Sequence, residues 1–193
     1  MLDLERRTRG GLVVGLLLAA AAVRADDPAG AHFFELKSGR ATYTLVHKFH
    51  QVQGTSQKLE GRARVLPDGT AQVQVRAPLA SFDSGNSNRD AHMREATHEL
   101  QHPHVTVKGT LTGVRLPLAG PLEQSMQATV ELNGERHTLP VQVKLAQGGD
   151  KLHATYSFAV SLDAFKIERP ELMLIKVEDA VKMDGELVFE ESK

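Results

Sequence analysis

The side chains most able to do chemistry in this sequence are histidines. There are nine in 193 residues, and four fall close together as His92, His98, His102 and His104. On a helix, His98 and His102 would share a face at the i, i+4 spacing by which two imidazoles chelate one metal, with Glu99 or His104 as a third donor. No complete metal motif surrounds them, so they read as polar side chains around a helix end, and no metal or other cofactor is expected. Arg89 and Asp90 stand at the start of the same segment and read as a charge pair and cap that fix a helix, rather than as a reacting pair. Ser81, Ser84 and Ser87 lack the Gly-x-Ser-x-Gly elbow that would activate a serine. Cysteine is absent, which removes thiolate nucleophiles, disulfides and thiolate metal sites together. No phosphate loop or dinucleotide fingerprint is present. No enzyme is therefore expected.

The remaining single residue of interest is His47. Its parity along the chain groups it with Tyr43, Leu45 and Phe49, the apolar side of an extended segment. A histidine there is either a core residue with both ring nitrogens satisfied or a polar group beside a ligand.

Charge narrows the partners. Lys and Arg number 23 and Asp and Glu 24, for a formal charge of −1, which gives no electrostatic reason to expect nucleic acid. Arg6, Arg7 and Arg9 precede an uncharged run from Gly11 to Val23, and Val23-Arg24-Ala25 offers a cleavage site. That order is the pattern of a secretory signal peptide over residues 1–25, and the run is too short for the roughly 20 apolar residues of a membrane span. Residues 26–193 then form a single exported domain. An exported chain without cysteine points to a bacterial periplasm.

Beyond residue 25 the pattern has period two. Leu59, Gly61, Ala63 and Val65 alternate with charged residues, and Val73 and Val75 with Gln72, Gln74 and Arg76. The same alternation runs through 105–112, 128–132, 139–145, 152–162 and 181–189, with further pieces at His32–Leu36 and Ala41–Phe49. Strands with one dry and one wet face read this way. Asn133-Gly134 marks a tight hairpin, because both central residues of a type I′ turn need positive φ. Eight or nine strands joined by short polar turns, with no helical crossover, predict an antiparallel sheet that closes into a barrel or splits into a sandwich. Pro78, Pro117 and Pro140 are expected at strand ends or edges. One segment departs from the pattern. Ser87 as cap and Asp90 in a capping box open a short helix near residues 88–101, with Met93, Ala96 and Leu100 on one stripe and Pro103 ending it.

The inward parity is rich in small residues: Gly61, Ala63, Ala71, Ala77, Gly109, Ala128 and Ala154. These suit either a filled core or a lumen with space for an apolar ligand.

A resemblance favours the lumen. The run Ala77–Arg94, in which Ser81-Phe82-Asp83-Ser84-Gly85-Asn86 leads into Arg89-Asp90-Ala91-His92-Met93-Arg94, resembles the phrase with which YceI-like proteins pass from strand to helix. Tyr43–His47 with Gly54 and Gly61, His102–Gly109, Ala128–Leu145 and Ser161–Phe165 are similar to other segments of that family. The resemblance extends from about Phe33 to Phe189. It implies an all-β, eight-stranded antiparallel lipocalin-like barrel, without catalytic activity, that holds a polyisoprenoid or similar long-chain amphiphilic lipid.

The apolar parity then supplies the candidate lining: Val65, Val73 and Val75 early in the chain, Val107, Leu111 and Val130 in its middle, and Val141, Val143, Tyr156, Phe158, Val160 and Met183 later. His47 would stand beside the ligand's head. The barrel would be a monomer or homodimer with no membrane span after cleavage. The rival readings are a histidine-based metal-binding protein and a stress or scaffold protein with a filled core.

Overall fold

The computed structural model describes residues 29–47, 50–172 and 175–192. The expected signal peptide, Phe49 and the middle of the Leu172–Ile175 stretch lie outside these residues.

Among the described residues, eleven strands and one α-helix follow one another as β1 (His32–His47), β2 (His50–Ser56), β3 (Glu60–Val65), β4 (Ala71–Pro78), α1 (Ser87–Ala96), β5 (His104–Leu111), β6 (Leu122–Leu132), β7 (Glu135–Gly148), β8 (Lys151–Ser161), β9 (Glu171–Leu172), β10 (Ile175–Lys176) and β11 (Ala180–Glu191). The sheet runs β11-β8-β7-β6-β5-β4-β3-β1-β2, and β11 also pairs with β1. That last pairing closes β1, β3–β8 and β11 into an eight-stranded antiparallel barrel. Closure pairs β1 with β11, so neither stands as an open edge over that length.

The pieces read separately at 32–36 and 41–49 are, over the described residues, one strand, His32–His47. The β1–β11 register runs Leu36↔Phe189 and then Ser38↔Val188, so Lys37 is an extra residue in β1. A bulge moves the buried side from the even to the odd residues. Phe34 and Leu36 therefore pack inward before it, and Ala41, Tyr43 and Leu45 after it.

On its other side β1 pairs with β3 near its start (Glu35↔Arg62) and with β2 near its end (Ala41↔Ser56), in one continuous register. β2 and β3 are thus halves of one strand interrupted at residues 57–59. Only β3 continues to β4. β2 is tied to the chain after β4 through the Thr55↔Asp83 bridge.

The expected hairpin forms, with Asn133 at φ 52° and Gly134 at φ 75° between β6 and β7. Pro140 differs from expectation, because it lies inside β7, opposite Gln127. Pairing of β7 with β8 begins only at Gln142↔Ser157, so the missing N–H falls where β7 still has a free side.

The helix is shorter than the sequence suggested, and its cap is one residue earlier. Asn86, not Ser87, accepts from the N–H groups of Asn88 and Arg89 through its side chain. Asp90 does not complete a capping box. It is buried, and its carboxylate accepts from the Ser84 N–H at 3.1 Å, while Arg89 donates to the Ser84 carbonyl at 2.9 Å. The two charges thus grip one loop residue from two sides. The helix stops at Ala96: the Thr97 hydroxyl donates to the Met93 carbonyl at 2.8 Å, and His98 turns to φ 46°. Met93 and Ala96 keep their inward stripe, but Leu100, beyond the break, is 89% exposed.

The two barrel ends differ. At one, the Val114 N–H donates to the Gly69 carbonyl at 2.9 Å and Val114 is fully buried, so the 112–121 loop caps the lumen. At the other stand α1, the His47 and His50 ends of β1 and β2, and described residues between β8 and β11 such as Ile167, Pro170 and Val177.

Candidate functional site

Inward residues of all eight barrel strands surround a cavity of about 120 Å³ toward the capped end. Its walls are apolar side chains, among them Val65, Val73, Leu111, Val141, Leu152 and Phe189. A second, wider cavity of about 670 Å³ lies at the opposite end. It is bordered by β1 and β2, by Met93 and Ala96 of α1, and by Ile167, Pro170 and Val177 from the segment before β11. Phe82, Val105, Phe158 and Met183 line both cavities and form the waist where the two meet. Together they lie within the roughly 300–1,000 Å³ of ordinary small-molecule sites.

The lining expected from parity is largely assembled. Val65, Val73, Val75, Val107, Leu111, Val141, Val143 and Tyr156 line the inner cavity, with Phe158 and Met183 at the waist. Val160 and His47 line the outer one. Val130 lines neither. It is fully buried in the apolar cluster that also holds Phe165. Parity says which face a side chain takes, not whether neighbours fill the space in front of it. Ala128, also fully buried, borders neither cavity.

Some lining residues carried no strand signal. Phe82 follows the Leu79–Ser81 turn, and Val114 sits in a loop. Their apolar character beside strand ends was the available clue.

Both tyrosines of the chain reach over a glycine of the neighbouring strand. Tyr43 is paired with Gly54 and Tyr156 with Gly185, and a Cβ at either glycine would collide with the ring. Rings so placed cover bare backbone and leave the centre of the barrel free. Burial pushes both hydroxyls above the usual phenol range, with Asp90 adding to the effect at Tyr43 and Asp184 at Tyr156. Both stay neutral at physiological pH.

Polar groups gather at the rim of the outer cavity. His47, His50, Arg89 and His92 stand on the β1–β2 and helix side, Glu168 and Glu171 on the loop side. His47 is half-buried at this rim and not in the core. The other histidines do not converge. Because the helix has already ended, His98 and His102 share no helical face. The His98 Nδ1 lies 2.8 Å from the Asn133 Oδ1, and the His102 ring covers Gly134 of the same hairpin. Among the described residues, no three His, Asp or Glu side chains come together as a metal-binding group. Asn133 is buried and donates to the Phe165 and Lys166 carbonyls at 2.9 and 3.2 Å. It ties the β6–β7 hairpin to the segment at the mouth.

The YceI-like domain family matches residues 27–189 of the sequence. No curated protein matches it. Among solved structures, the fold is similar to a polyisoprenoid binding domain from Saccharophagus degradans implicated in plant cell wall breakdown. That likeness has a TM-score of 0.68 and 16% identity over 82% of this chain and 98% of that one. Burkholderia cenocepacia BcnA gives a TM-score of 0.65 and 18% identity over 78% and 95% of the respective chains. The Campylobacter jejuni YCEI protein gives a TM-score of 0.53 and 17% identity over 77% and 89%. At these identities the likeness is one of fold.

Proposed function

The chain belongs to the YceI-like family, and from that premise we propose that it is a periplasmic carrier holding a polyisoprenoid or similar long-chain amphiphilic lipid inside its barrel. One observation carries the reading: an apolar lumen that begins at a polar rim, passes the Phe82–Met183 waist and ends blind beneath Val114. Each methylene taken from water contributes about 0.8 kcal/mol. A long chain therefore needs no strong polar contact inside, and a polar head can remain at the rim near His47. The Saccharophagus degradans neighbour, described as polyisoprenoid binding, supports this choice of ligand.

In this reading residues 1–25 are the export signal, cleaved near Ala25, and 26–193 are the mature domain. The protein stores or transfers its ligand without catalysis and without a cofactor. Among the described residues no helix is long and apolar enough to cross a membrane.

Native mass spectrometry of protein from a periplasmic fraction, followed by organic extraction, tests the proposal. An added mass that extracts as a lipid is the expected result. A bare polypeptide that stays bare after incubation with prenyl lipids would overturn it.

A further inference from the structure

We infer that Met126, folded over Gly109, sets the depth of the lumen and so the length of chain the barrel accepts; this rests on the lipid reading above. Gly109 lies on the inward parity of β5, between Val107 and Leu111, both of which line the inner cavity. Gly109 itself does not line it, because Met126 of the adjacent β6 covers it. The Met126 Sδ lies 2.6 Å, and its Cε 2.8 Å, from where a Cβ on residue 109 would stand. Met126 is buried, stands opposite Val141 in the β6–β7 register and lines the inner cavity, and Gly109 lies two residues before Leu111, where β5 runs into the loop that closes the lumen. The thioether thus occupies the place a side chain at 109 would take, and so stays out of the lumen.

This arrangement has a definite consequence. A methyl group at 109 cannot share that place with the thioether. The two atoms it would overlap are the far end of a flexible, unbranched side chain, which moves at little cost, and the next neighbour, the Ala128 Cβ, is a tight contact at 3.3 Å. The free space within reach is the inner cavity, only about 120 Å³. The displaced thioether would fill the end of the lumen and leave the waist and the 670 Å³ mouth untouched. Shortening Met126 does the opposite and deepens the blind end. The Gly109–Met126 pair therefore decides chain length, not whether lipid enters.

Three variants test this: Gly109→Ala, Met126→Ala and the two combined. Each would be titrated with farnesol, geranylgeraniol and solanesol, all-trans prenyl alcohols of increasing length, with bound mass read by native mass spectrometry and folding checked by thermal unfolding. In Gly109→Ala, affinity for solanesol should fall about tenfold, the equivalent of about two buried methylenes. Farnesol should change by less than about twofold, because the shorter chain ends before the filled space. Met126→Ala should shift the preference toward solanesol, and the combined variant should regain solanesol binding. If Gly109→Ala fails to fold, the Met126→Ala profile decides alone.

A length profile unchanged in Met126→Ala, or an equal loss at all lengths in Gly109→Ala, would overturn this assignment while leaving the carrier reading intact. Uptake of none of the three alcohols by the unaltered protein would overturn the carrier reading itself, and this inference with it.

Discussion

At the scale of single residues, small side chains have two different jobs that look alike in the sequence. Val143 borders the inner cavity, whereas Ala128 borders no cavity and is fully buried. Val143→Trp should therefore place its indole in free space and reduce prenyl-alcohol uptake while the unfolding midpoint stays near that of the parent. Ala128→Trp has no such space. Overpacking should cost it about 1–3 kcal/mol, read as a lower denaturant midpoint. Equal effects of the two on stability would refute this distinction. Both positions carry the apolar parity, which is why the sequence could not separate them. Val130 shows the same limit, since its inward direction was legible and the neighbours that fill its surroundings were not.

At the scale of elements, the helix and the loop before β11 frame the mouth, and each depends on a local polar contact. Asn86 caps α1 through two backbone N–H groups, so Asn86→Ala should lower stability by about 1 kcal/mol. An equal loss in Ser87→Ala would return the cap to the position expected from sequence. On the other side of the mouth, the Asp163 N–H donates to the Asp179 carboxylate at 2.8 Å. That bond, helped by the Ser161 hydroxyl, holds the Asp179 carboxyl below the ordinary 3.8. The charged form is thus favoured in the fold. The associated stability is fully present above the unfolded carboxylate value and fades as pH falls through the lower folded one. Unfolding midpoints of Asp179→Asn should accordingly fall less between neutral and strongly acidic pH than those of the parent. Parallel curves would exclude a role for this carboxylate. The helix itself was legible from Ser87–Asp90 onward. Its end was not, because the stripe Met93, Ala96, Leu100 continues past the point where Thr97 and His98 break it.

At the scale of the whole molecule, function rests on closure. The β1–β11 seam joins strands that lie at opposite ends of the sequence, and Gly185 sits in it. A Cβ there would run into the Arg40 backbone carbonyl and the Tyr156 ring, and backbone on one side leaves no flexible group to give way. Gly185→Ala should open the seam, with a large fall in thermal midpoint and loss of lipid uptake together. A variant of unchanged stability would show that the seam tolerates a wider spacing. By itself the sequence determined the strand faces, the Asn133-Gly134 hairpin, the antiparallel order and the resemblance that implied a barrel, because period-two alternation and turn chemistry are local properties. It did not show that β1 is one bulged strand, that His47 stands at a rim, or that His98 and His102 turn to a hairpin rather than to each other. Nor did it show where the lumen ends. Those are matters of which distant side chains meet and how much space they leave, and only the closed tertiary structure brings Met126 over Gly109 and Val114 across the end of the barrel.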